Sequence, residues 1–495
     1  MKNNKKNIQS ILIIGTTIKI LGLIYKIIST RILGIEGMRL TSLILPTLSL
    51  SLCLSTLSLP TVVNQNIANN TFNQTTKTRT ILKSALRITL ISSSLISIIL
   101  LFSFPLYKYI YQNEFIYYPL LICIPLIYIS NSTGLLRGYL EANNKFNETY
   151  LANLFEQITK ISLTFILLFI YKNESVQTKI LITFTSMTLS EFASFFYLAV
   201  KIKKRNKINY FQVKTNGYEK NILKQALPLT IEQLIITLTN YLEPFIFYYC
   251  TTKQNISLLT STTYYARITS FAIPLLIFAL FGVQSIAKFT FPKITANKQN
   301  KEIQNTIISE SLFFCFLIAL FNFNLCFFYS EEFLNILFKD TSSSEIVHLL
   351  SPLYFFIYFN PLFITILQSY EKEKKLMSIT FISSSLTLLF IFIFTQIPSI
   401  NINGLIIGMA IGSLIKFIML SFFANKEINL PINIKNIILS IFIFFIYFLI
   451  NTFTHNIYYF ATTTLLFYTL ILLLYYHLSK NNKKYHHHKK HIKHS

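Results

Sequence analysis

The sequence predicts an all-α polytopic membrane protein with about fourteen transmembrane helices, and three observations carry that prediction. Apolar runs near 20 residues, the length that crosses a bilayer core as a helix, recur from end to end. Only 13% of the residues are charged and 53% are hydrophobic, with a mean hydropathy of +0.52, against roughly 25% charged in soluble chains. Lys and Arg gather in alternate connections, as the positive-inside rule requires.

The spans fall at about 8–29, 40–67, 81–104, 117–139, 150–170, 178–200, 222–250, 258–285, 306–329, 347–369, 377–397, 402–424, 434–453 and 457–478. One set of connections receives Lys2, Lys5 and Lys6, then Lys77, Arg79, Lys83 and Arg87, then Arg137 and Lys145. It continues with the cluster from Lys201 to Lys224, Lys288 to Lys301, Lys372 to Lys375, Lys426 and Lys435, and the tail from Lys480. The opposite set holds Lys108 with Glu114, Lys172 with Glu174, Lys253, and the acidic stretch Glu331, Glu332, Asp340 and Glu345. Both termini are therefore expected in the cytoplasm, with the chain in the cell membrane. This asymmetry also accounts for the net charge of +25, so nucleic acid is not an expected partner. The basic N-terminus lacks a small-residue cleavage site and reads as a retained first helix. Cys53, Cys123, Cys250, Cys315 and Cys326 lie in or beside apolar segments without metal or redox spacing, and read as small core residues.

The basic connection near 201–221 separates six spans from eight. It implies an N-lobe at 1–201, a cytoplasmic linker at 202–221, a C-lobe at 222–425, two further helices at 426–479 and a basic, His-rich tail at 480–495. Six-span halves with the substrate site at their interface are a common transporter design. The second span of each half carries two prolines, Pro46 with Pro60 and Pro274 with Pro292. Proline bends a membrane helix and frees carbonyls that must face protein or a wet cavity. The last two spans are nearly uncharged and suit lipid or a lipid tail.

Ionisable residues inside the spans are the informative set, because a cation near a helix centre costs roughly 2.5–3.5 kcal/mol on insertion scales. Lys19 and Lys26 lie seven residues apart in the first span with Thr30 four further on, so at about 100° per residue the three share one helix face. Arg31, Glu36 and Arg39 follow in a turn on the outer side, the one connection that breaks the charge pattern. A cationic stripe there points to a wet cavity and an anion, although Lys26 and Arg31 can also snorkel to the interface. Glu156 and Lys160 are spaced for an ion pair on one helix face. Glu232 and Glu243, with Thr239 between them, offer proton or sodium sites or partners for cavity cations. Arg267 opens the eighth span, as an anion contact or an interfacial anchor beside Tyr264 and Tyr265. Glu191 and Lys416 are single charges inside spans and read as structural, and the tail histidines read as a solvated basic segment. No phosphate-cradling glycine loop, metal-spaced His/Cys set or nucleophile with a base is present, so neither an enzyme nor a bound cofactor or metal is expected.

Five segments resemble one family. KILGLIYKIISTRILGIEGM is similar to its first helix and turn, where arginine is usual at the positions of Lys19 and Lys26; LSTLSLPTVVNQNIA is similar to the end of its second. LLRGYLEANNKFNETYLANLFEQITKI resembles its RGY…EQ segment at Arg137, Gly138, Tyr139, Glu156 and Gln157. ALPLTIEQLIITLTNYLEPFIF and YYARITSFAIPLLIFALFGVQSIAKFTFPKI resemble its seventh and eighth helices, with matches at Pro228 and Glu243 and with Arg267 at a cavity arginine. The family is the multidrug/oligosaccharidyl-lipid/polysaccharide exporter (MOP) superfamily, and within it the stage V sporulation protein B group, relatives of MurJ-type lipid II flippases. The resemblance covers about 8–425 and implies two six-helix lobes, MATE- or MurJ-like, around a central cavity. It also implies alternating access and movement of an undecaprenyl-pyrophosphate-linked saccharide, with lipid II in cell-wall or spore-cortex synthesis as the first expectation. Lys19, Lys26, Arg31, Glu36, Arg39 and Arg267 are the expected substrate-binding residues. Glu156, Lys160, Glu232 and Glu243 are expected to couple ions or pair charges. Expected partners are the lipid-linked oligosaccharide, membrane lipids and cell-wall synthesis enzymes. A cation-coupled multidrug exporter, an exopolysaccharide repeat-unit flippase and a non-transporting scaffold for wall-synthesis enzymes remain as alternatives.

Overall fold

Inside a bilayer no water is available to the backbone, so an apolar chain must satisfy its amides internally. The computed structural model describes residues 2–69, 75–111, 113–205, 218–430 and 445, and every element among them is a helix. In chain order these are α1 (Lys2–Thr56), α2 (Leu59–Asn69), α3 (Thr75–Leu101), α4 (Phe104–Tyr111), α5 (Tyr117–Ile122), α6 (Ile124–Ala142), α7 (Phe146–Ile170), α8 (Val176–Arg205) and α9 (Tyr218–Lys253). Then follow α10 (Leu258–Ala266), α11 (Ile273–Leu276), α12 (Leu280–Ala296), α13 (Lys301–Phe328), α14 (Ser330–Phe338), α15 (Ser344–Ile357), α16 (Asn360–Ser369), α17 (Glu373–Gln396) and α18 (Gly404–Ile428). Among the described residues nine helices are long and apolar enough to cross a membrane, or ten with one bent pair counted as a span. Each expected span up to residue 424 overlies a helix or a broken pair of helices. The expected spans 434–453 and 457–478, the tail from 480 and most of the 202–221 linker lie outside the described residues.

The expected junction between the first two spans falls at Gly34, where two helices meet at a one-residue kink. Helical residues run from Lys2 to Thr56 as two helices, and only Gly34 between them leaves helical geometry, at φ 62 and ψ −171. A positive φ is open to glycine at little cost, and the flanking residues contain no proline, Asn or Asp to hold a longer turn. Arg31 and Glu36 therefore lie exposed on helix either side of the kink, and Arg39 lies inside the second half of α1.

The proline expectation is met in the eighth span. Leu258–Leu276 and Leu280–Ala296 meet at a bend of 55°, and a π-helical turn, Arg267–Ala272, precedes Pro274. Pro46 stands inside α1, and Pro60 starts α2 after a break at Leu57 and Ser58.

The chain gathers into two compact units, one of Met1–Phe271 with Met377–Gly412, the other of Ala272–Leu376 with Ser413–Ser495. In the first, α1 packs on α7, α8, α9 and α10, and α2 on α6. Leu59, Val62, Val63, Ile81, Leu135 and Ile222 form a shared core of α2, α3, α6 and α9. Exposed apolar rows such as Leu90, Ile91, Leu95 and Ile98 on α3 face outward, as lipid contact requires. In the second unit, Asn322 Nδ2 at 2.7 Å and the Tyr358 hydroxyl at 3.1 Å both donate to the Leu276 carbonyl, satisfying the group freed at the helix break. The five cysteines are free and buried, as core residues.

Two glycine seams let helices approach closely. A Cβ on Gly138 would run into the Pro60 carbonyl, and one on Gly408 would lie 2.6 Å from the Ile391 amide nitrogen. We expect Gly138→Ala to lower stability by about 1–3 kcal/mol through overpacking against backbone. The measurement is the thermal unfolding midpoint in detergent, and a midpoint equal to that of the unsubstituted chain would count against so close an α2–α6 seam.

Candidate functional site

The first unit holds every charged residue singled out above inside the spans except Lys416. Three groupings organise them. The first is a cavity of about 150 Å³ lined by Tyr25, Lys26, Ser29, Leu33, Met38, Thr41 and Leu45 of α1, Lys160 of α7, and Thr183, Phe184 and Met187 of α8. Lys26, Ser29 and Leu33 recur at helical spacing, so one face of α1 supplies the wall on the N-terminal side of Gly34. The kink then brings Met38, Thr41 and Leu45 from the other half. Lys160 Nζ sits 5.0 Å from the centre of the Tyr25 ring, a cation–π contact across α1 and α7. Thr30, expected on the face of Lys19 and Lys26, is fully buried and is not part of the wall. Lys19 is half-buried, and it too stands outside this cavity.

The second grouping corrects two readings. Arg137, counted above in a cytoplasmic connection, lies within α6 and bridges three helices. Its Nη2 donates to Glu156 Oε2 of α7 at 2.8 Å and to Ser194 Oγ of α8 at 2.9 Å, with Glu191 Oε1 at 3.7 Å. Glu156 and Glu191 side chains are 16% and 9% exposed, so this is an interior cluster. Glu156 and Lys160 attract each other but do not close into a direct ion pair: the Arg137 guanidinium takes the carboxylate, and Lys160 lies over Tyr25. Glu191, read as a lone structural charge, belongs to the same cluster. No linear spacing reveals this hub, because its members come from three helices.

The third grouping joins α1 to α10. Arg39 Nη1 donates to Thr262 Oγ1 at 3.5 Å, and half-buried Arg267 follows Thr262 by five residues at the start of the π-helical turn. Such turns recur at functional sites. Nearby, Glu243 of α9 is 6% exposed and accepts a hydrogen bond from Tyr265 of α10. Glu232, about three turns earlier on α9, is half-buried. The expected substrate residues therefore divide, with Lys26 in the cavity and Arg39 and Arg267 at α10.

Known proteins place this architecture. A multidrug resistance MATE family transporter of the MOP superfamily, in its inward-facing conformation, superposes with a TM-score of 0.67 at 16% identity, over 83% of this chain and 94% of that one. A MOP superfamily transporter from Pyrococcus furiosus Vc1, described as having a binding pocket of reverse polarity that suggests a different function, matches with a TM-score of 0.60 at 16% identity, over 85% and 94%. The fold is thus that of a multi-pass membrane transporter of the MATE type. Stage V sporulation protein B of Bacillus subtilis (strain 168) is 23% identical over 436 residues, 86% of this chain and 84% of its own length. The chain belongs to the polysaccharide biosynthesis protein family, which it matches over residues 5–281.

Proposed function

We propose that the protein is a flippase that moves an undecaprenyl-pyrophosphate-linked saccharide across the cytoplasmic membrane by alternating access. Lipid II for cell-wall or spore-cortex synthesis is the cargo this reading favours. The observation that carries it is the cationic character of α1 and of the turn after α10, with Arg39 brought against Thr262 of α10, the helix that Arg267 directly follows. Cations in a low-dielectric interior attract a pyrophosphate strongly, because charge pairing there is little screened. In this reading Lys19, Lys26, Arg31, Arg39 and Arg267 receive the pyrophosphate in turn, and Glu36 contacts the substrate beside them. Both termini lie in the cytoplasm, two six-helix lobes divided near 202–221 rock about the cargo, and wall-synthesis enzymes supply and consume it.

One observation favours a second reading, a cation-coupled drug exporter: buried Glu243 bound by Tyr265 can hold a proton or sodium ion. Reconstitution into liposomes with a labelled lipid-linked oligosaccharide separates the two. A flippase exposes the sugar to an impermeant enzyme on the far leaflet and gives no drug resistance in a sensitised strain. Resistance without flipping would replace the first reading by the second.

A further inference from the structure

α9 follows the basic connection and so opens the second half of the chain, yet the compact unit that holds α1 to α8 holds α9 as well. Its ties to α2 keep one register. Asn66 Nδ2 of α2 donates to Gln225 Oε1 at 2.7 Å, and the hydroxyl of Ser58, just before α2, donates to Gln233 Oε1 at 3.4 Å. Eight residues separate the two contacts on each of these antiparallel helices, so the pairing holds over roughly 12 Å. One turn further along α9, Thr237 meets the Cys53 thiol of α1. At the other end, Arg87 of α3 lies 3.6 Å from Glu219. From Glu219 to Thr237 α9 is therefore held along about 27 Å of helix, against a bilayer core of about 30 Å.

Behind these contacts the seam is dry. Ile222 and Ala226 of α9 are each 1% exposed and share one core with Val62 and Val63 of α2 and with Ala85 and Ile88 of α3. Gln225 and Gln233 stand on its exposed edge. A gate opens toward one side of the membrane, so its closing contacts fall in one leaflet and tolerate wetting when they part. Parting α9 from α2 and α3 would instead break a packed core through most of the bilayer, and interiors packed at that density do not yield gradually.

We infer that the seam of α9 with α2 and α3 is the pivot of the transport cycle, closed in every state, about which the second half of the chain turns. This rests on the alternating-access reading above. It makes α9 a post fixed to the first half, although chain order counts it with the second. It also decides a route: a lipid-linked cargo does not enter between α2 and α9, and its tail passes elsewhere around the bundle.

The test locks the seam. Asn66→Cys with Gln225→Cys places two thiols on its exposed edge, and the five native cysteines are buried away from reagent. A short reducible bis-thiosulfonate joins the pair in the reconstituted full chain, with each single cysteine variant as control. The cross-linked protein is expected to flip lipid-linked sugar within about twofold of its rate before cross-linking, because a pivot changes its angle and keeps its contacts. A larger loss that reduction restores would make the seam a gate and overturn the pivot. Spin labels on the same two cysteines, in phosphatidylcholine nanodiscs with and without undecaprenyl pyrophosphate, give a second measurement that needs no transport. One narrow distance population is expected in both, and a second population longer by several ångströms would overturn the pivot whatever the cargo. Failure of the flippase reading looks different: no lipid-linked sugar moves before cross-linking, while drug export persists after it.

Discussion

Replacing Arg39 and Arg267 together with alanine is expected to stop flipping of the lipid-linked saccharide while leaving the protein inserted. Hydrogen bonds to charged groups contribute about 1.5–3 kcal/mol each, so losing two costs about 3–6 kcal/mol, on the order of a hundredfold or more in transport rate. The structure supports treating them as a pair, because Arg39 reaches Thr262 at 3.5 Å on the helix whose π-helical turn Arg267 opens. Insertion is not the weak point, since removing a cation from a membrane helix makes its insertion more favourable. Arg267→Lys should give an intermediate rate, because lysine keeps the charge and loses the planar fork. The measurement is the far-leaflet sugar assay on reconstituted protein, with recovery in the membrane fraction as control. Full-rate flipping by the double variant would remove these arginines from the mechanism.

The second large effect concerns stability. Arg137→Met leaves Glu156 and Glu191 facing each other in the interior without their shared cation. Breaking a buried ion pair from one side costs about 3–5 kcal/mol, and with the Arg137 side chain 25% exposed we expect the lower end, about 3 kcal/mol. The readout is the unfolding midpoint in detergent, or the steady-state amount in the membrane. Adding Glu156→Gln and Glu191→Gln to Arg137→Met should restore most of the loss, because the uncompensated charges go with their partner. A triple variant no more stable than Arg137→Met would show that packing of the guanidinium, rather than charge, holds α6, α7 and α8 together.

The two effects separate what α1 and α10 do from what the α6–α8 hub does. Arg39 bonds a threonine hydroxyl and can be removed without orphaning a buried carboxylate, so its loss is read as transport. Arg137 cannot, so its loss is read first as folding. Glu156 and Lys160 show why the distinction matters: four residues apart on one helix, one serves the hub and the other the cavity.

Hydropathy and charge determined the membrane class and the position of each span up to residue 424, because a bilayer core forces any run of about 20 apolar residues into a helix whatever its neighbours are. The cations of the first helix were legible for the same reason: a charge is conspicuous where only apolar residues are cheap. The 55° bend of the eighth span was legible in Pro274, which stands just before the break. Tertiary structure alone decided the partners. Gly34 narrowed the expected turn to a single residue by accepting φ 62. Arg137 drew Glu156 away from Lys160, because a planar fork between three helices outcompetes a flexible neighbour on one helix surface. Hydropathy acts on each segment independently, whereas a charge chooses its partner by distance in space, and distance is set only when the helices pack.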